Sequence, residues 1–149
     1  MRGRFVTFEG AEGSGKSTQL GLLRAWMEEG GLPLLATREP GGTALGQGIR
    51  QVLLSPREGG MAPEAELFLY EADRAQHARE VIRPALERGV NVLCDRFYDS
   101  TTAYQAFGRG LPEERVRELN AWAAGGLVPD LTFLFLVPAE EGLRRAGER

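Results

Sequence analysis

The chain has 149 residues, 42% of them hydrophobic, which suits one compact domain with a real core. Its 18 Lys and Arg against 21 Asp and Glu give a formal net charge of -3, which excludes bulk nucleic-acid binding and makes any phosphate preference local to a site. Cys94 stands alone, so no internal disulfide is possible; the single histidine, His77, cannot build a zinc site, and the longest apolar run, "LTFLFLV", is far too short to span a bilayer.

The first predicted element is a strand in "RFVTFEG", an apolar and β-branched run ending at Gly10. The next residues fit G-x-x-x-x-G-K-[ST] through Gly10, Gly15, Lys16 and Ser17, and Gly13 adds a third glycine. Such glycines let backbone N–H groups converge on phosphate oxygens with no Cβ in the way. Lys16 is placed to reach the outer phosphates, and Ser17 offers a hydroxyl suited to Mg2+. The following helix brings its free N–H groups to the same anion. Leu20, Leu23 and Met27 recur at helical spacing until Gly30 and Gly31 stop that helix. Glu12 is the unexpected member: a carboxylate inside an anion-binding loop.

A short strand is predicted over 33–37, then a turn cluster, "REPGGT", that opens a helix over 45–54. Arg38 and Glu39 stand at the strand end, where Pro40, Gly41 and Gly42 read as a tight turn. After a polar loop with Gly59 and Gly60, Leu67, Tyr70, Arg74, Ala78, Val81 and Ile82 give a helical pattern over 63–88, with Pro84 as a kink or break. "VNVLCD" has the form of a buried parallel strand ending in Asp95. Helices are predicted over 100–105 and 112–124, a last strand over 131–137, and a further helix from Ala139.

This alternation predicts an α/β fold, a parallel sheet with helices on both faces and ligands at the carboxyl ends of the strands. Two residues there have two readings each. Asp95 is either a metal-side carboxylate, held directly or through water, or an N-cap of the next segment. Arg96 either clamps a second phosphate by paired N–H bonds or forms an ordinary surface ion pair. Together these features predict P-loop phosphoryl transfer or hydrolysis without naming the acceptor.

Four motifs in order, "EGAEGSGKST", "TREPGGT", "YEADR" and "DRFYDSTTAYQAFGRG", resemble thymidylate kinase. The resemblance implies a three-layer P-loop fold, transfer of the γ-phosphoryl group of ATP to dTMP with Mg2+, a cytoplasmic setting and a homodimer. It implies that Gly10, Ala11, Glu12, Gly13, Ser14, Gly15, Lys16, Ser17 and Thr18 form the ATP loop, with Ser17 and Asp95 on the metal side. Glu12 would face the deoxyribose and the metal-water network, and its 3′-hydroxyl contact would explain the carboxylate.

For the acceptor, the resemblance implies Tyr70 stacked on thymine, Arg74 bonded to its exocyclic oxygen and Thr101 reading the pyrimidine edge. Tyr104 would crowd the sugar in favour of a 2′-deoxy form, Arg96 would hold the acceptor phosphate, and Glu39 and Ser100 would complete the site. Catalysis would rest on Lys16, Arg96, Glu12 and the lid arginines Arg145 and Arg149. Phe97 stands where many members have Tyr, and Tyr70 where many have Phe; both keep a ring. Residues 1–149 are expected to form a single P-loop kinase domain ending at the start of the lid, whereas members of the family continue through a full lid, a fifth strand and a closing helix.

Two other readings remain at this point. A related nucleoside or nucleoside-monophosphate kinase would share the phosphate loop but need another base pocket. A GTP-binding switch would carry an N-K-x-D guanine reader, and no such tetrapeptide occurs.

Overall fold

The computed structural model describes residues 1–56 and 58–147. Strand β1 (Phe5–Gly10) enters the phosphate loop and is followed by α1 (Lys16–Glu29), β2 (Leu34–Arg38) and α2 (Ala44–Leu54). Helix α3 (Pro63–His77) widens into a π-helical turn, Ala78–Ile82, before α4 (Arg83–Glu87) and β3 (Asn91–Asp95). The short α5 (Tyr98–Thr101) runs into a second π-helical stretch, Thr102–Gly108; α6 (Glu113–Ala124), β4 (Leu131–Phe135) and α7 (Ala139–Gly147) complete the described chain.

All pairings are parallel, in the order β2-β3-β1-β4. Parallel neighbours require crossovers, and the helices between strands supply them and flank the sheet. The central strands β1 and β3 carry buried apolar residues, with Phe5, Val92 and Cys94 packed against Ile82, Leu86 and Phe97. Phe5 and Phe97 meet edge to face at 5.1 Å between centroids. A second cluster joins Leu67 of α3, Ala106 and Val116 of α6.

The predicted stripe Leu20, Leu23 and Met27 is the half-buried face of α1, while Leu22 and Trp26 between them are exposed. Thr43 caps α2, its hydroxyl accepting the Gly46 N–H at 2.9 Å. Pro84 stands in the first turn of α4, where its missing N–H is not needed, so the predicted break takes the form of a π turn just before it. The predicted helix over 100–105 is likewise divided between α5 and the second π turn. β4 is shorter than the apolar run that predicts it, is paired with β1 alone among the described residues and is largely exposed. Among the described residues no helix is long and apolar enough to cross a membrane.

Candidate active site

The carboxyl ends of β1, β2 and β3 open into one cleft of about 470 Å3. One wall is the phosphate loop, with Glu12, Gly13, Ser14, Gly15, Lys16 and Ser17 in the lining. The rest of the lining includes Glu39, Tyr70, Arg74, Arg96, Ser100, Thr101 and Tyr104, and Asp95 also reaches the cleft. These predicted residues come from four stretches of the chain, 12–17, Glu39, 70–74 and 95–104, and the fold brings them together. Gly10, Ala11 and Thr18 do not line it: Gly10 and Ala11 turn their carbonyls to Lys16, and Thr18 lies exposed on α1.

In the loop, Gly13 and Gly15 have φ of 70° and 91°, the left-handed region that favours glycine. Lys16 Nζ donates to the Gly10 and Ala11 carbonyls at 2.8 and 2.9 Å. Burial, then the positive charge of Arg96, lowers its pKa from the ordinary lysine value. Ser17 Oγ donates to Asp95 Oδ2 at 3.2 Å, while Asp95 Oδ1 is buried with no hydrogen-bond partner. Asp95 therefore does not cap α5; Phe97 holds that position, with no side-chain cap.

Arg96 is not a surface ion pair either. Its Nη1 donates to Ser100 Oγ at 3.0 Å, and its guanidinium lies 5.5 Å from the Tyr104 ring centroid. Behind it, Glu9 at the end of β1 accepts the Phe97 N–H at 2.7 Å and the Ser100 hydroxyl at 2.5 Å. Burial pushes the Glu9 carboxyl above the usual carboxylate range.

Arg74 is buried with 1% exposure. Nε donates to Glu39 Oε2 at 3.0 Å, Nη1 to Glu71 Oε2 at 2.9 Å and to Asn120 Oδ1 at 2.8 Å, and Nη2 to Thr101 Oγ1 at 2.8 Å. A guanidinium has five N–H groups. One, on Nη2, is thus left without a protein acceptor among the described residues. Arg74 and Glu71 form an interior ion pair, with side chains 1% and 8% exposed.

Glu39 is also fixed from behind, where its Oε1 meets His77 Nδ1 at 2.9 Å and His77 Nε2 meets Thr37 Oγ1 at 2.7 Å. Asp73 accepts the Gly41 N–H at 2.9 Å, and burial raises its pKa to about 6. The glycines of "EPGGTALG" make room for this layer. A Cβ at Gly42 would lie 2.4 Å from the His77 ring, and one at Gly46 would lie 2.2 Å from Asp73 Oδ1.

Arg50 and Gln105 also line the cleft; Arg50 falls outside the four motifs, and Gln105 lies inside the last of them with no role assigned to it. Arg50 Nη1 donates to the Pro40 carbonyl at 2.9 Å, and Gln105 Nε2 donates to Glu66 Oε1 at 2.7 Å. An arginine soon after the Pro-Gly-Gly turn, and a glutamine directly after Tyr104, were the available signals. Arg145 is on α7, where its Nε pairs with Glu141 at 2.6 Å, outside the lining. The i,i+4 spacing on an exposed helix favours that local pair. Arg149 lies outside the described residues.

A parallel sheet whose first strand feeds a G-x-x-x-x-G-K-S loop, in a cleft also lined by arginine and aromatic groups, defines a P-loop phosphotransferase. The family model for thymidylate kinase matches residues 8–149. A thymidylate kinase of Desulfovibrio desulfuricans is 60% identical over 145 residues, covering 97% of this chain and 67% of the relative. One of Pseudomonas putida is 54% identical over 149 residues, covering 100% and 71%. The crystal structure of thymidylate kinase from Ehrlichia chaffeensis superposes with a TM-score of 0.86 at 37% identity, covering 99% of this chain and 84% of that one. The chain belongs to the thymidylate kinase family. Phosphorylation of dTMP to dTDP, with ATP as donor, is the reaction of that family.

Proposed function

We propose that this cleft carries out dTMP phosphorylation by direct in-line transfer, with the phosphate loop holding ATP and the Tyr70–Arg74 side holding the acceptor. The observation that carries the reading is the remaining Nη2 N–H of Arg74, in the lining of the same cleft as Lys16. A buried donor left over in the lining, with Tyr70 in the same lining and Thr101 bonded to the same guanidinium, suits the flat, oxygen-bearing edge of thymine. Tyr104 then borders the sugar, Arg96 meets the acceptor phosphate, and Ser100 and Glu39 hold these two arginines in place.

The acceptor is already anionic, so no strong general base is required; positioning and charge neutralisation do the chemistry. Lys16 serves the charge that develops on the transferred group. Glu12, exposed at the donor side of the lining, accepts from the sugar hydroxyl instead of opposing the donor phosphates. Arg145 contributes positive charge when it exchanges Glu141 for phosphate, and Arg149 is assigned the same task from sequence alone.

Ser17 Oγ and the unpartnered Asp95 Oδ1 fit a hard cation that also takes phosphate and water oxygens, as Mg2+ does. Bound there, Mg2+ supplies neutralisation of phosphate charge. Residues 1–149 act as a single P-loop kinase domain with α7 at the start of the lid. A homodimer fits the apolar outer surface of the packed α2–α3 pair, where Leu45 and Phe68 are 55% and 59% exposed. A cytoplasmic setting accords with a buried, unpaired Cys94.

The test is a coupled assay with ATP across dTMP, dUMP, dCMP, AMP and thymidine. Preference for dTMP supports the assignment; equal turnover of AMP or of the unphosphorylated nucleoside overturns it.

A further inference from the structure

We propose that Glu9 is a positioning residue, holding the Arg96 guanidinium on the acceptor wall and tying it to the strand that carries the phosphate loop. The inference rests on the reading of Arg96 as the group that meets the acceptor phosphate.

Among the described residues, Arg96 is the one non-glycine with positive φ, at 72°. A residue with a Cβ stays in that region only when its surroundings over-determine it. Here two consecutive residues of β1 secure two consecutive N–H groups of the turn. The Phe8 carbonyl accepts from Arg96 N at 3.0 Å, and the Glu9 carboxylate accepts from Phe97 N at 2.7 Å. The first contact uses backbone and any residue could make it. The second depends on the side chain of Glu9, which is 3% exposed.

The other carboxylate oxygen acts on the guanidinium through Ser100. Its hydroxyl hydrogen is committed to Glu9 Oε2 at 2.5 Å, so the lone pairs of Ser100 Oγ face Arg96 Nη1, which donates at 3.0 Å. The carboxylate orients the hydroxyl, and the hydroxyl orients the guanidinium. An acceptor-only group is needed for this, because both of its partners are donors. A glutamine at this position would turn an N–H toward Phe97 N or toward Ser100. In the first case the Phe97 N–H loses its acceptor; in the second the Ser100 hydroxyl must accept from the amide and its hydrogen no longer fixes the lone pairs on Arg96 Nη1.

The test is E9Q, with dTMP and ATP affinities measured separately by calorimetry and thermal melting as the fold control. Loss of one charge-assisted contact is expected to weaken dTMP about tenfold and ATP less than about twofold. In an R96K background the planar fork that Ser100 orients is gone, so E9Q is expected to cost less than about twofold further. Equal losses for both nucleotides, or an undiminished effect in the R96K background, overturn the proposal.

If E9Q does not fold, S100A breaks the same relay without disturbing the Phe97 N–H contact. Weaker dTMP binding with ATP unchanged supports the proposal, and unchanged dTMP binding overturns it. R96K alone separates the two levels. Unaltered dTMP affinity in R96K overturns the acceptor role of Arg96 and the proposal with it, whereas a weakened R96K beside a silent E9Q overturns the role of Glu9 alone.

Discussion

The guanidinium of Arg74 and the carboxylate of Glu39 meet at 3.0 Å with side chains 1% and 3% exposed, so the group assigned to the base is also an interior counter-ion. Removing it leaves Glu39 and Glu71 buried without their cation. The R74A variant is therefore expected to lose about 3 kcal/mol of stability, as broken buried ion pairs do, besides binding dTMP far less well than ATP. Urea denaturation with both nucleotide titrations checks this. A loss below about 1 kcal/mol would show that the carboxylates find other partners or protonate at little cost.

Lys16 makes a different kind of contact. It donates to two loop carbonyls that can turn to water, so K16M is expected to leave the fold intact while turnover falls by about a thousandfold or more. Steady-state assays and circular dichroism together decide it, and turnover retained within about tenfold would remove Lys16 from the chemistry.

Asp73 predicts a pH dependence of stability. Its folded pKa, about 6, stands above its ordinary 3.8 because burial disfavours the charged form. Between these values the folded state holds a proton that the unfolded state has released, so this group makes stability fall as pH rises from about 4 to about 6. D73N removes the contribution. The variant should gain on the parent by roughly 3 kcal/mol over that window, and parallel pH–stability curves would contradict the assignment.

Gly13 has φ of 70°, and a Cβ built there would lie 2.0 Å from the carbonyl oxygen of Gly142 on α7. G13A thus combines left-handed strain with a backbone clash, and the loop or α7 must shift. A stability loss of about 2 kcal/mol is expected, with a lower ATP affinity. Unchanged melting and ATP binding would show that the contact between loop and helix is easily given up.

The phosphate loop was legible in sequence because its determinants are local: a strand, a glycine spacing and a helix start, all within 4–29. The burial of Arg74 was not, since Glu39 lies 35 residues away and Asn120 lies 46 away. Nothing in "YEADR" marks an arginine as interior until those partners are known. His77, dismissed as a metal ligand, is a brace for Glu39 for the same reason. The two π turns were missed because an extra residue per turn preserves apolar spacing closely enough to read as an ordinary helix. Gln105 stands in one of them, which helps explain why its place in the cleft carried no periodic signal.

The strand order gives the cleft a fixed length scale. Because β3 separates β1 from β2, the tip that carries the phosphate loop and the tip that carries Glu39 are two hydrogen-bonded steps apart, about 10 Å at ordinary sheet spacing. That interval is comparable to the reach of one nucleoside monophosphate. The sheet is therefore a ruler: backbone hydrogen bonds set the gauge between the two walls, and side chains only choose which molecule fills it.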